Sequence, residues 1–193
     1  DLQGVDMLFV PGGFSYGDYL RAGALSRFAR IMEEVQQFAA SGKPVVGICN
    51  GFQILTEARL LPGVLQRNRD MHFICDTVYI TPAQHSSALT QALEERPYHI
   101  PIAHAEGNYY CNPDTLKRLE DNQQVLFRYT DNRGLALEEA NPNGSLNNIA
   151  GVCNEKGNVM ALMPHPERAA DPRLGNTDGL ALLQSLLGLA VTV

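Results

Sequence analysis

The sequence predicts an α/β fold: a mostly parallel sheet with flanking helices and an antiparallel hairpin near the C-terminus. Three observations predict it. Short apolar runs rich in β-formers end at glycine turns, at Asp6–Val10 before Pro11-Gly12-Gly13 and at Pro44–Ile48 before Cys49. Between them Leu25, Phe28, Ala29, Met32, Val35, Phe38 and Ala39 share one stripe at helical spacing, which predicts a helix over 23–40 stopped by Ser41-Gly42. Strand, helix and strand in that order make a right-handed parallel crossover. Finally, Ile149–Cys153 and Val159–Met163 flank Glu155-Lys156-Gly157-Asn158, the pattern of a hairpin.

The remaining elements follow in order. Ser15–Arg21 is a polar loop. The strand at 44–48 turns tightly at Cys49 into a helix from Gly51 to about Arg59. Leu60-Leu61-Pro62-Gly63 is a turn, and Phe73–Ile80 a strand. The polar stretch 81–96 has room for a short helix. His99–Ala105 and Val125–Thr130 read as strands, Thr115–Asn122 as a helix, and Asn141-Pro142-Asn143-Gly144-Ser145 as a turn. A last amphipathic helix spans 178–189, with Thr177 as its N-cap.

The chain has 193 residues, enough for one domain (1–193) with a sizeable core. A net charge of −6 argues against a nucleic-acid or anionic-membrane surface. The four cysteines, Cys49, Cys75, Cys111 and Cys153, form no C-x-x-C pair. They suggest neither a disulfide framework nor a metal site, and reduced thiols in a cytoplasmic protein are the simplest expectation. No apolar run approaches the ~20 residues of a membrane span, and no signal peptide is visible.

Chemistry concentrates at Gly47-Ile48-Cys49-Asn50-Gly51, which has the G-x-nucleophile-x-G spacing of a nucleophile elbow. Glycine two residues either side removes collisions that a strained strand-to-helix turn would otherwise force. The helix N-terminus then favours Cys49 as a thiolate. The plainer alternative is a buried structural cysteine beside turn glycines. Of the five histidines, His72, His85, His99, His104 and His165, the last stands out within Met163-Pro164-His165-Pro166-Glu167-Arg168. Two prolines keep this segment extended, so Glu167 falls on the same side as His165 and can orient its ring. That gives a Cys49–His165–Glu167 triad, against the alternative of a loop histidine with an accidental acidic neighbour. The backbone N–H of Asn50 is one oxyanion donor, and the Gly12-Gly13 turn can supply a second. Gly12–Gly17 lacks the lysine of a phosphate loop. The order nucleophile, histidine, acid also differs from that of α/β-hydrolases.

These residues carry a resemblance. Pro11-Gly12-Gly13, Gly47-x-Cys49-x-Gly51-x-Gln53 and Pro164-His165-Pro166-Glu167 resemble class I (triad) glutamine amidotransferases, whose fold is flavodoxin-like. The longer stretches at 11–24, 47–63, 103–111, 141–159 and 163–168 are similar to the glutaminase subunits of phosphoribosylformylglycinamidine synthase. The resemblance implies Cys49 as nucleophile, His165 and Glu167 as its base and support, and Gly13 and Asn50 amides as the oxyanion hole. It implies glutamine contacts at Gly12, Gln53, His104, Ala105 and Glu106, where family members often have glycine in place of Ala105. It also implies two partners, a large synthetase subunit and a small bridging subunit. ATP and magnesium are expected on the synthetase, with no cofactor on this chain. The family begins with a further strand and helix before the position of Asp1, so an N-terminally truncated domain with an uncovered sheet edge is expected. Two other readings remain open: a stand-alone cysteine hydrolase and a non-catalytic interaction module.

Overall fold

A computed structural model describes residues 2–190. Its main sheet has seven strands, β1 (Leu8–Val10), β2 (Val45–Ile48), β4 (Ile74–Pro82), β5 (Tyr98–His104), β7 (Val125–Thr130), β8 (Ile149–Cys153) and β9 (Val159–Leu162), in the order β1-β2-β9-β8-β7-β4-β5. The β1, β2 and β9 strands pair in parallel, while the other pairings are antiparallel. Five of the seven strands therefore run one way, and β4 and β8 run the other. A separate two-stranded ribbon joins β3 (Val64–Gln66) to β6 (Asn108–Tyr110), a pairing the sequence pattern did not suggest.

The expected hairpin is β8–β9, in register Val152↔Ala161, and Gly157 (φ 73°) turns the chain between them. Strand β2 is buried along its whole length between β1 and β9, as a two-sided apolar run requires. Four helices pack on the sheet: α1 (Ile31–Ala40), α2 (Asn50–Glu57), α3 (Pro113–Asp121) and α4 (Asp178–Ala190). Helix α3 is capped by Asn112, whose side-chain oxygen accepts the Thr115 N–H at 2.8 Å, and has Pro113 at its first position.

The helix expected over 23–40 begins later. Only Ile31–Ala40 is α-helical, after a single 3-10 turn at Ser26–Phe28 and an extended Ala29 (ψ 138°). The cause lies upstream. The Asp18 carboxylate accepts the Ser15 N–H (2.7 Å), the Ser15 hydroxyl (2.7 Å) and the Gly23 N–H (2.8 Å), so this stretch is a closed loop instead of a helical turn. Met32, Val35, Phe38 and Ala39 point inward as their spacing predicts, but Phe28 is 70 % exposed. The 81–96 stretch forms turns held by Gln84, whose side-chain oxygen accepts the Ser87 N–H, and contains no helix. Strand β1 ends the sheet on one side, with Phe9 44 % exposed.

Gly51 shows how tightly the elbow is built. A Cβ there would stand 2.0 Å from the Val10 carbonyl oxygen. Replacing Gly51 with alanine is therefore expected to destabilise the protein by about 3 kcal/mol or more, because backbone cannot move aside as a flexible side chain can. Urea unfolding of the two proteins checks this.

Candidate active site

Cys49 sits between β2 and α2 with φ 49° and ψ −103°, a conformation L-residues rarely adopt. Its N–H is held by the Leu162 carbonyl at 2.9 Å. The turn thus projects the sulfur to one end of the parallel trio, where strands β1 and β9 also finish. From β9 the chain passes through Met163 and Pro164 to His165, whose N–H donates to the Pro101 carbonyl at 2.8 Å. His165 Nδ1–H donates to the Glu167 carboxylate at 2.5 Å. That bond leaves Nε2 as the bare acceptor, and this atom is buried without a partner. Gly12 lies between Cys49 and His165. A Cβ there would meet His165 Cε1 at 2.6 Å and Cys49 Cβ at 3.5 Å, so both side chains crowd the same point.

A cavity of about 270 Å³ opens at Cys49, lined by Gly13, Asp18, Gln53, Ala103, His104 and Glu106 among others. Of the residues named from the sequence, Gly13, Gln53, His104, Ala105 and Glu106 thus share one cavity with Cys49. The Asn50 N–H points at the Cys49 sulfur, where it would favour negative charge. Gln53 is one turn into α2, and its amide is already committed. Its Nε2 donates to the Glu106 carbonyl (2.7 Å), and its Oε1 accepts from Asn50 Nδ2 (2.8 Å). Gln53 therefore ties the 105–106 loop to the elbow helix.

The His104 ring is buried and held by Asn68. Asn68 Nδ2 donates to the His72 and His104 carbonyls, so its Oδ1 must accept; it takes the Gly107 N–H (3.0 Å) and His104 Nδ1–H (3.1 Å). This fixes the His104 tautomer. Burial, with His165 nearby, lowers its pKa to about 4, so the ring is neutral.

Sequence reasoning missed three participants. Asp18 reaches into the cavity and accepts from Asn50 Nδ2 at 2.9 Å, and the Ser15-x-x-Asp18 spacing of a side-chain-capped turn was the available signal. Asn68 and the Ala103 carbonyl carried no signal, because their roles exist only once distant strands meet. The expected thiolate is a correction. Burial pushes the Cys49 thiol up to about 11, outweighing the Asn50 N–H and Arg168, which pull it down; Glu167 and Asp18 push the same way as burial. In the free protein the sulfur is a thiol donating to the Ala103 carbonyl at 3.6 Å. Among the described residues, no group of three or more His, Cys, Asp or Glu side chains could hold a metal ion.

Two outcomes follow from these shifts. Alkylation of Cys49 in the free protein should speed up with pH through neutrality and beyond, with no plateau below about pH 11; iodoacetamide kinetics measure this. For His104 the folded pKa lies below the unfolded value, so only the unfolded chain takes up a proton between pH 6.5 and about 4. Stability should fall across that window as pH drops, by on the order of 3 kcal/mol, and His104→Gln should flatten the slope in urea titrations.

Comparison with known proteins agrees with this geometry. A family model described as a CobB/CobQ-like glutamine amidotransferase domain matches residues 1–177. The chain is 55 % identical over 188 residues to the phosphoribosylformylglycinamidine synthase subunit PurQ of Acaryochloris marina, covering 97 % of this chain and 80 % of that protein. It is 57 % identical over 194 residues to the PurQ subunit of Thermosynechococcus vestitus, with the same coverage. Among solved structures, PurLQS from Thermotoga maritima superposes with a TM-score of 0.83 at 41 % identity, over 95 % of this chain and 79 % of that one. A Thermotoga maritima glutamine amidotransferase at 14 % identity and TM-score 0.59, covering 100 % of this chain and 81 % of that one, shares the fold. The chain belongs to the glutamine amidotransferase family, alongside the PurQ subunits of phosphoribosylformylglycinamidine synthase.

Proposed function

We propose that this chain is the glutaminase subunit of a phosphoribosylformylglycinamidine synthase, with Cys49, His165 and Glu167 as its catalytic residues. The observation that carries the reading is the buried, unpartnered Nε2 of His165, on a ring oriented by Glu167 whose Cε1 shares the space over Gly12 with the Cys49 Cβ. A bare acceptor beside a neutral thiol is a general base waiting for its proton.

The reaction then runs in two halves. His165 Nε2 takes the thiol proton as Cys49 sulfur bonds to the carboxamide carbon of glutamine. The oxyanion that forms accepts N–H donors from Asn50 and Gly13. The imidazolium, held by Glu167, returns its proton to the nitrogen, the C–N bond breaks, and ammonia leaves a γ-glutamyl thioester. Water attacks next, its proton passing to His165, and glutamate departs as the thiol re-forms. The raised thiol pKa suits this order, because the proton transfer is coupled to attack instead of preceding it. Gly12 keeps the space between sulfur and imidazole clear, while Gln53, Ala105 and Glu106 form the substrate-facing wall, with His104 fixed behind it.

The ammonia would pass to a large synthetase subunit, assembled with a small bridging subunit, that converts formylglycinamide ribonucleotide to the amidine with ATP and magnesium. The mouth of the cavity supports a covering partner. Phe14 is 85 % and Tyr19 76 % exposed there, and Tyr16 and Leu20 beside them are similarly bare. Clustered aromatic exposure of this kind marks a protein contact. No helix among the described residues is long and apolar enough to cross a membrane. The four cysteines are free thiols, in keeping with action in the cytoplasm.

Cys49→Ala is the direct test, made in a complex reconstituted with the synthetase. Glutamine-dependent synthesis should vanish while ammonia-dependent synthesis continues. Persistence of the glutamine-dependent rate would remove Cys49 as nucleophile.

A further inference from the structure

A second cleft, larger than the Cys49 cavity, lies at the opposite end of α2. Its volume is about 570 Å³, within the range of small-molecule sites. Four arginines, Arg21, Arg27, Arg59 and Arg118, line it, with Leu60 and Leu61 on its apolar side. The chain as a whole carries an excess of acid, a net −6, and most other arginines sit on carboxylates, as Arg96 on Asp178, Arg128 on Glu120, Arg133 on Asp131 and Arg173 on Asp171. In the cleft only Arg21 does so, bonding Glu57 at 2.7 Å. Arg27 lies over the Phe28 ring, and Arg118 reaches the Thr115 hydroxyl. Among the described residues no carboxylate pairs with Arg27, Arg59 or Arg118, and the one further acid lining the cleft is Glu155.

Arg59 adds an independent observation. Helix α2 ends in a Schellman arrangement, with Leu60 N–H on the Leu55 carbonyl (2.9 Å) and Arg59 N–H on the Thr56 carbonyl (3.0 Å). Arg59 holds the left-handed position of that motif at φ 59°, the place where glycine costs least. The helix dipole favours a cation at this end, which accounts for one arginine. It does not account for Arg27 and Arg118, which arrive from other elements to face the same space.

We propose that this cleft binds a phosphate-bearing small molecule of nucleotide size. The unpaired guanidinium groups would hold the phosphate, and the leucines would cover its apolar body. Forked N–H donors match phosphate oxygens in geometry as well as charge. A concave site of this volume with an apolar side favours a small molecule over an extended acidic peptide.

Adenosine monophosphate and inorganic phosphate serve as probes in calorimetric titrations of the full chain at low salt. Binding of the nucleotide is expected, with Arg59→Gly and Arg118→Gln each weakening it about tenfold, the scale of one lost charge-assisted hydrogen bond. Arg59→Gly relieves the left-handed strain, so its melting temperature should rise or hold, which separates lost binding from lost folding. Inorganic phosphate binding equally well would place the recognition in the phosphate alone and still support the site. No saturable binding of either probe at millimolar concentration, binding unaffected by both substitutions, or binding of a poly-glutamate peptide in their place would overturn it.

Discussion

The structure depends on a single backbone conformation, that of Cys49 at φ 49° and ψ −103°. A strained residue of this kind costs about 1–3 kcal/mol and persists only where its surroundings leave no alternative. Here they leave none. Strand β2 is hydrogen-bonded on both edges, and α2 is buried from Asn50 to Thr56. The helix can start where it does because Gly51 lies under the end of β1, and because Gly47 lets Leu55 and the Gly51 backbone close over it. Relaxing Cys49 would mean moving α2 off the sheet, which would expose Phe52 and Leu55, both fully buried. The burial of two large apolar side chains is worth several times the strain.

The free edge of β5 then gathers the other parts. Strand β5 pairs with β4 on one side only, which leaves alternate carbonyls unpaired on the other. Each receives a donor from elsewhere in the chain: His99 from the Asn176 amide, Pro101 from the His165 N–H, Ala103 from the Cys49 thiol and Ala105 from the Asn68 N–H. Pro101 sits where an outward N–H would otherwise lack a partner. The sheet must curl for its far edge to reach the end of β2. The same contacts that quiet an exposed edge thus bring Cys49 and His165 to one place.

Burial at this site has a chemical consequence. It holds the Cys49 thiol and the His104 ring uncharged, against the pull of the α2 dipole on the sulfur. Behind the 104–107 loop, Asn68, Asn143 and Ser145 bond the loop backbone from within; Asn143 Nδ2 and Ser145 Oγ both donate to the Gly107 carbonyl. These bonds stiffen the loop backbone, while His104 Nε2 stays buried without a partner. The cavity wall is therefore braced before any ligand arrives: Gln53 ties the Glu106 carbonyl of that loop to α2, and Asp18 holds the facing 15–23 loop to the same helix through Asn50.

By itself the sequence determined what is local. The apolar runs, the glycine turns and the helical spacing place the β1–β2 crossover, the hairpin and the elbow, because each is set by neighbours within a few tens of residues at most, whereas the pairing of β2 with β9 joins Val45 to Val159. The proline-flanked segment likewise put Glu167 beside His165, since an extended backbone fixes i and i+2 on one side. What only the tertiary structure decided are the pairings between distant segments. The β3–β6 ribbon followed from a long-range pairing and the placement of the His104 ring from Asn68, thirty-six residues away. The late start of α1 was local, set by Asp18 closing its loop onto Ser15 and Gly23, a signal masked in the sequence by the apolar spacing. The charge of Cys49 belongs with the ribbon and the ring. A helix N-terminus, visible in sequence, argues for a thiolate, but the depth at which the sulfur is buried is a property of the whole packed chain, and desolvation outweighs the dipole.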